Sequence, residues 1–256
     1  MLRFCANLSL LFNELPLVER FEAAQKQGFK AVEIQFPYSL SATTVRKFLD
    51  KCQLKLVLFN VSADDLLQGG EGLAAVPEKR QQFRTAVEQS LEYAMLLKPT
   101  AINVLPGRVL QVGRQQEFLE TFKENLLFAT EQFSAIDITT VFEAINHHDM
   151  PGFIINSGQQ MLDILEQLKH PDLLLQYDIY HMQRMAEDCT QFIAKHADKI
   201  GHIQFADMPG RGQPGTGNID FTKIFATIEN STYTGWVGAE YYPTGETPAS
   251  LDWFRQ

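Results

Sequence analysis

The sequence alternates eight times between a short apolar run and an amphipathic helical stretch. The runs are rich in β-branched residues and apolar on both faces, as the strands of a buried parallel sheet are. They occupy residues 3–9, 31–36, 54–61, 101–105, 139–146, 173–180, 200–206 and 235–242. Eight such units close most simply into a (β/α)8 barrel, whose active site lies at the carboxyl ends of the strands. The competing doubly wound sheet needs a glycine-rich turn after its first strand, and residues 9–16 contain no glycine.

The helical stretches carry recognisable start and stop signals. Gly28 is placed to end the first helix, and Ser41 is placed to cap the second. Ser157 and Gln160 form a capping box. Thr247, followed directly by a proline, predicts the start of a last helix. The clearest apolar stripe consists of Phe118, Phe122, Leu126, Ala129 and Phe133.

The composition is that of a globular protein with one ample core. No repeat or linker divides the chain, so we expect residues 1–256 to form a single domain. The net charge of -9 argues against nucleic acid and anionic membranes as partners, because like charges repel. No apolar run reaches the ~18 residues of a membrane span. Three widely spaced cysteines without a C-x-x-C pair suit a reducing compartment, and we expect a cytoplasmic protein.

Four of the predicted strands each carry one oxygen-bearing side chain in an apolar run, namely Glu143, Asp178, Gln204 and Glu240. Burying such a group costs several kcal/mol unless a cation or hydrogen bonds compensate. Strands five to eight adjoin in a barrel, so we expect the four side chains to surround one point. Three carboxylates and an amide oxygen favour Mg²⁺ or Mn²⁺ over Zn²⁺. The sequence therefore predicts a divalent-cation site that polarises a substrate carbonyl and stabilises an enediolate.

Other polar residues follow the strands. His181 lies at the end of strand six, where it is either a satisfied polar group or a donor to a substrate oxygen. His147 is a weaker candidate in the loop after strand five. Residues 210–217 contain a formal G-x-G-x-x-G, but they follow strand seven, and Pro214 removes an amide donor. A turn-rich loop is therefore favoured over a dinucleotide site, with Arg211 as a candidate to bind an anionic or polyhydroxylated substrate.

Several segments together resemble the hydroxypyruvate isomerase family. The likeness runs through nearly the whole chain, and the segment after strand six is its most specific part. The segments are RFCANLS at 3–9, EAINH at 143–147, QYDIYHMQ at 176–183, GHIQ at 201–204, PGTG at 214–217 and GAEY at 238–241. That family belongs to the xylose-isomerase-like TIM barrels, together with 2-oxo-tetronate isomerases and ketose 3-epimerases.

The resemblance implies a reaction and a set of roles. Glu143 and Glu240 would be paired acid/base residues on opposite sides of the substrate. The two glutamates, Asp178 and Gln204 would ligate the cation, and His181 and Arg211 would face the substrate. Hydroxypyruvate would become tartronate semialdehyde (2-hydroxy-3-oxopropanoate) through an enediolate. Such a shift of a carbonyl requires one proton to be removed and another delivered, which two carboxylates with separated pKa values can do.

The chain departs from the family pattern near the expected pocket. The family's Gly-Asp-Trp and Gly-Glu-Arg-Gly motifs survive in the 62–78 connection only as Asp64 and Gly70-Glu71. Tyr242 stands where a lysine is usual, and Ala144 where a proline is common. The loss of an arginine and a lysine removes cationic partners for a substrate carboxylate. The reaction type is unaffected, whereas the choice of substrate is left open.

Several alternatives remain at this stage. A 2-oxo-tetronate isomerase or a ketose 3-epimerase would use the same cation site. A non-catalytic barrel that binds carbohydrate or metal is a third reading, because fold does not fix function. An apurinic-site endonuclease needs a histidine-rich zinc cluster and a basic face for DNA, which six histidines and a net charge of -9 disfavour. The oligomeric state is also open, a homo-oligomer included.

Overall fold

The computed structural model describes residues 1–255, which form a closed barrel of eight parallel strands. Spatial order follows chain order, and the first strand pairs with the last to close the barrel. The strands are β1 (Arg3–Asn7), β2 (Ala31–Ile34), β3 (Lys55–Asn60), β4 (Ala101–Asn103), β5 (Thr139–Glu143), β6 (Leu173–Asp178), β7 (Ile200–Phe205) and β8 (Trp236–Ala239). The predicted (β/α)8 fold is confirmed.

Eight α-helices accompany the strands within the described residues. They are α1 (Leu17–Lys26), α2 (Ala42–Cys52), α3 (Arg80–Leu97), α4 (Gln115–Ser134), α5 (Gly158–Leu168), α6 (Ile179–Arg184), α7 (Cys189–His196) and α8 (Phe221–Glu229). Ser41 and Ser157 cap α2 and α5 by accepting the amide N–H groups of Thr44 and Gln160, as predicted. None of these helices is long and apolar enough to cross a membrane.

Two predicted elements are wrong. The sixth strand ends at Asp178, and Tyr180 and His181 lie in α6, because the Asp178 carboxylate accepts their amide N–H groups and starts a helix there. The predicted last helix is replaced by two 3₁₀ turns, Thr247–Ser250 and Asp252–Phe254. Side-chain bonds to the barrel hold this segment, including the one from the Phe12 amide to the Thr247 hydroxyl (2.6 Å).

The 62–78 connection is an ordered part of the fold rather than a structureless loop. It contains the 3₁₀ turns Leu66–Gln68 and Pro77–Lys79, and its residues 73–76 are buried in the main hydrophobic core. The Asn125 amide on α4 donates to the Ala74 carbonyl oxygen (2.9 Å). The connection therefore covers one side of the barrel and is anchored by apolar contacts and by a buried hydrogen bond.

The barrel interior has two levels. The lower level is apolar and small, formed by Cys5, Ala31, Val57, Leu58, Ala101 and Val141. Side chains two residues further along a strand point to the same face, nearer its carboxyl end. On β1, β2, β4 and β5 those positions hold the buried polar residues Asn7, Glu33, Asn103 and Glu143. The fold thus places polar side chains inside the barrel at the end where catalytic sites of such barrels lie.

Candidate active site

The polar side chains in the upper barrel contact one another across its interior. Glu33 on β2 accepts hydrogen bonds from Gln204 (2.7 Å) and His202 (2.6 Å) on β7. β2 and β7 are not neighbours in the sheet, so these bonds cross the barrel. We call the connected set the polar belt; its members are Asn7, Glu33, Asn60, Asn103, Glu143, Gln176, Gln204 and Glu240.

Amide groups link the acids of the polar belt into one hydrogen-bonded chain. Asn103 donates to one oxygen of Glu143, and Gln176 donates to the other (both 2.9 Å). Gln176 also donates to Gln204 Oε1 (2.6 Å). On the opposite side of the barrel, Asn7 donates to both Glu33 and Glu240 (both 2.9 Å). The two glutamates expected to act as acid and base therefore belong to one continuous network.

Glu240 lies just beyond β8 and is the acid in closest contact with Arg211. Its Oε1 accepts from Asn7 and Gln35, and its Oε2 accepts from the Arg211 guanidinium (2.6 Å). The same guanidinium nitrogen lies 3.8 Å from Asp178 Oδ2. The Arg211 Nε is buried without a partner among residues 1–255. One terminal nitrogen of the Arg211 guanidinium thus faces Glu240 and Asp178. The Nε–H of the same group is a donor that a ligand can use.

Asp178 and His181 are arranged by the start of α6. Asp178 Oδ1 caps the helix, so Oδ2 is the oxygen that faces Arg211 and the His181 ring, whose Nε2 lies 3.5 Å away. The Asn146 amide donates to His181 Nδ1 (2.7 Å), which places the ring proton on Nε2. Burial and the nearby Arg211 charge lower the pKa of His181 well below its ordinary value. His181 is therefore a neutral donor directed toward the acids.

The loop that carries Arg211 is built around Asp207. The buried Asp207 carboxylate accepts backbone N–H groups of Met208, Gly215, Gly217 and Ile219 at 2.8–3.1 Å. A Cβ on Gly217 would lie 2.0 Å from the Met208 carbonyl oxygen, so only glycine fits there. The glycines of residues 210–217 therefore serve a tight loop, which agrees with the turn-rich prediction for this segment.

Asp207 offers a test of how far this loop matters. We expect Asp207→Ala to lower kcat/KM by about 10²-fold, because a misplaced guanidinium loses the aligned contact with substrate. Asp220→Ala, which removes the N-cap acceptor of α8, should cost ~1 kcal/mol of stability and leave kcat/KM unchanged. Steady-state kinetics and thermal melts of both variants check this. Equal activity of Asp207→Ala and wild type would contradict it.

Buried like charges dominate the electrostatics of the site. Burial, together with the charges of Glu240 and Asp178, raises the pKa of Glu143 well above its ordinary value. Burial and the charges of Asp178 and Glu33 raise the pKa of Glu240 to about 7, although Arg211 opposes the shift. Burial also raises the pKa of Asp178, again against the effect of Arg211. Three acids thus share one guanidinium and lack a full set of counter-charges.

These shifts predict a stability that falls with pH. A carboxyl whose folded pKa lies above its ordinary 4.5 favours the folded state at low pH, and this is lost as pH rises through the folded pKa. Between pH 4.5 and about 7 we expect Glu240 to lower the unfolding free energy of the cation-free protein by on the order of 3 kcal/mol, and Glu143 adds to the loss in the same direction. Thermal melts measure this. The loss should be much smaller in Glu143→Gln/Glu240→Gln, where Asp178 is the one acid of these three that still titrates, and an equal slope in that variant would contradict the assignment.

The residues present suit a hard divalent cation. Glu143, Asp178 and Glu240 supply carboxylate oxygens, and Gln204 supplies an amide oxygen, which is the ligand type that Mg²⁺ and Mn²⁺ prefer. Their mutual repulsion, seen in the raised pKa values, is what a divalent cation would relieve. The donor chemistry of these four side chains therefore suits such an ion, and Arg211 and His181 lie beside them. Within the described residues, the oxygens of Glu143, Asp178 and Glu240 do not all lie within 4.8 Å of one another.

The six residues predicted from the sequence to ligate the cation or to face the substrate all lie in or against the polar belt. They are Glu143, Asp178, Gln204, Glu240, His181 and Arg211. The exposed His147 does not belong to the site, and its ring lies tilted against that of the neighbouring His148 in the loop. The residues that sequence reasoning missed are Asn7, Glu33, Asn103, Gln176 and Asn146. Glu33 carried the same signal as Glu143, a lone acid within a predicted strand. The role of the four amides could not be inferred, because it depends on contacts between segments far apart in the chain.

Comparisons with known proteins agree with this fold. The family model of the xylose isomerase-like TIM barrel matches residues 21–256. Hydroxypyruvate isomerase of Escherichia coli (strain K12) is 42% identical over 253 residues, 99% of this chain and 98% of that protein. 2-oxo-tetronate isomerase of Haemophilus influenzae is 34% identical over 254 residues, 99% of this chain and 98% of that protein. A solved structure of an AP endonuclease, family 2, from Brucella melitensis is 35% identical with a TM-score of 0.96, covering 100% of this chain and 98% of that one.

Proposed function

We propose a specific reaction for this chain, which belongs to the xylose isomerase-like TIM-barrel family and is an isomerase. The reaction is the interconversion of hydroxypyruvate and 2-hydroxy-3-oxopropanoate through an enediolate, and it depends on a divalent cation, Mg²⁺ or Mn²⁺. The observation that carries the proposal is the pair of buried glutamates, Glu143 and Glu240, on strands nearly opposite in the barrel and both with raised pKa values. Two such acids suit a reaction in which one substrate carbon loses a proton and the neighbouring carbon gains one.

The side chains divide the work as follows. One glutamate takes a proton from the hydroxymethyl carbon of hydroxypyruvate, and the other delivers a proton to the carbonyl carbon. The hydroxyl proton passes from the hydroxymethyl oxygen to the former carbonyl oxygen, so the carbonyl becomes a hydroxyl, the hydroxymethyl group becomes an aldehyde, and no atom or electron is gained or lost. A cation held by Glu143, Asp178, Gln204 and Glu240 would supply Lewis-acid polarisation of the substrate oxygens.

Arg211 and His181 orient the substrate. The guanidinium has a buried Nε–H without a partner in the described chain, which suits the carboxylate of a small hydroxy-oxo acid. The neutral His181 directs its Nε2–H toward the acids, where it donates to a substrate oxygen. Both residues therefore favour a substrate that combines a carboxylate with adjacent oxygens over a plain sugar.

A second candidate is 2-oxo-tetronate isomerisation. It is favoured by the relatives of that name, which match as much of this chain as the hydroxypyruvate isomerase does, at 34% identity for Haemophilus influenzae and 36% for Cupriavidus necator. The chain also lacks the arginine and lysine that hydroxypyruvate isomerases usually carry near the pocket. The same catalytic residues would act on an acid one carbon longer.

The deciding experiment is an assay of the purified protein against hydroxypyruvate, 2-oxo-tetronates and ketoses, each with and without Mn²⁺. The proposal expects the highest kcat/KM with hydroxypyruvate and a requirement for the cation. Preference for a 2-oxo-tetronate would favour the second candidate, and binding without turnover would favour a non-catalytic barrel. Cleavage of abasic DNA would support an endonuclease, which the net charge of -9 disfavours.

A further inference from the structure

Within the polar belt, Glu33 is completely enclosed, with 0% exposure. Its Oε1 accepts hydrogen bonds from Gln204 (2.7 Å) and Asn7 (2.9 Å). Its Oε2 accepts from His202 (2.6 Å) and, more weakly, from the Cys5 thiol (3.5 Å). A carboxylate offers about four lone-pair positions, so every acceptor position of Glu33 is used.

The ligand atoms of Cys5, Glu33 and His202 lie within 4.8 Å of one another, as in a metal site. The Cys5 thiol argues against that role, because burial and the Glu33 charge raise its pKa well above the ordinary value and a thiol must lose its proton to bind a metal. Burial raises the pKa of Glu33, but the charge and hydrogen bond of His202 and the bonds from Gln204 and Asn7 lower it below its ordinary value. Glu33 is therefore an ionised carboxylate that is hydrogen-bonded to His202 and has all its acceptor positions filled.

The two amide side chains that donate hydrogen bonds to Glu33, Gln204 and Asn7, also contact the candidate site. Gln204 directs its amide nitrogen to Glu33, which leaves its carbonyl oxygen for Gln176 and the site. Asn7 bridges from Glu33 to Glu240 with the same amide nitrogen. At position 238 a Cβ would lie 2.5 Å from Glu33, so the glycine there leaves room for this carboxylate.

We infer that Glu33 is a positioning residue, which fixes Gln204 with its carbonyl oxygen toward the cation and holds Asn7 beneath Glu240. The inference rests on the proposed function, because Gln204 and Glu240 are ligands only if a cation binds there. Without an acceptor at position 33, the Gln204 amide can rotate and present its nitrogen, which cannot bind a cation. Groups that orient ligands in this way typically contribute 10–100-fold to metal affinity.

The first test is the Mn²⁺ affinity of folded, substrate-free Glu33→Gln, measured by calorimetry and by the electron paramagnetic resonance of bound Mn²⁺. Glutamine has nearly the same shape but one acceptor oxygen instead of two, so its amide nitrogen must face either the Gln204 and Asn7 donors or the His202 and Cys5 donors. We expect the Kd for Mn²⁺ to rise about 10–100-fold. At saturating Mn²⁺ the kcat should recover more than the KM for hydroxypyruvate. Bound Mn²⁺ can draw the Gln204 carbonyl oxygen toward itself, but without Glu33 the Gln204 amide stays less firmly oriented.

The second test exchanges donor and acceptor. Glu33→Gln/Gln204→Glu restores a hydrogen bond between the two positions and keeps the net charge, whereas Gln204→Glu alone opposes two carboxylates. We expect the double variant to bind Mn²⁺ about tenfold more tightly than the two single changes predict by addition. If Glu33→Gln fails to fold, the comparison of Gln204→Glu with the double variant still carries the test.

The matched control is Thr140→Val, an isosteric change on the other face of β5 at a buried hydroxyl that has no partner in residues 1–255. It should leave the Kd unchanged. Equal Mn²⁺ affinity of wild type, Glu33→Gln and the double variant would overturn the positioning role alone. A wild-type protein that binds neither Mn²⁺ nor Mg²⁺ would overturn the proposed cation site, and this inference with it.

Discussion

Glu143→Gln and Glu240→Gln will each lower kcat by about 10²–10⁴-fold, the range that general acid–base catalysis contributes. Glutamine keeps the shape of the side chain but can neither take nor give the proton. Both carboxylates are buried and accept hydrogen bonds at both oxygens, so each glutamine keeps an acceptor oxygen for one side of its network and loses the bond on the other. The barrel should remain folded, because the change also removes repulsion among Glu143, Asp178 and Glu240.

The measurement is steady-state turnover of hydroxypyruvate at saturating Mn²⁺, with circular dichroism to confirm folding. A suitable control is Glu187→Gln, whose carboxylate accepts from the Tyr177 hydroxyl (2.8 Å) and the Gly158 amide (2.9 Å) rather than from the polar belt. That variant should lose stability but keep its kcat. Rates near wild type in both Glu143→Gln and Glu240→Gln would refute the acid/base assignment.

Removal of divalent cations should have a comparably large effect. Lewis-acid polarisation of a carbonyl contributes several kcal/mol, so dialysis against a chelator should lower the rate by about 10³-fold. Added Mn²⁺ or Mg²⁺ should restore it. The physical reason is the excess of buried acid over base, since Arg211 is the one permanently charged cation within 4 Å of Asp178 and Glu240 in residues 1–255.

Asp178→Asn provides the matched variant for this second prediction. The asparagine oxygen can still cap α6, so the local fold is kept, but the oxygen facing the site no longer carries charge. We expect weaker Mn²⁺ binding and a higher Mn²⁺ concentration for half-maximal rate. An undiminished rate in the chelated wild type would show that the acids do not act through a cation.

Much of the fold could be predicted because parallel barrels repeat one local pattern. The eight apolar runs and the caps at Ser41 and Ser157 are local signals, and the structure has strands and helices there. The strand-six boundary was wrong because Asp178 was considered only as a ligand. An aspartate directly before a run of helix-forming residues is also a capping signal, and here it starts α6.

The site was only partly predictable for a different reason. Glu143, Asp178, Gln204 and Glu240 stand out because each is polar within an apolar strand. Glu33 has the same property, but its significance depends on the contact with Gln204 across the barrel, 171 residues away in the chain. Only closure of the barrel reveals such pairs, since β2 and β7 are not adjacent in the sheet.

The central claim is that four oxygen donors on successive strands hold one catalytic cation. A crystal soaked in Mn²⁺, with the ion located by its anomalous scattering, tests this most directly. The account predicts a single strong peak in contact with Glu143, Asp178, Gln204 and Glu240, which is lost in Asp178→Asn. A peak at Cys5, Glu33 and His202 instead, or no peak in the barrel, would contradict it.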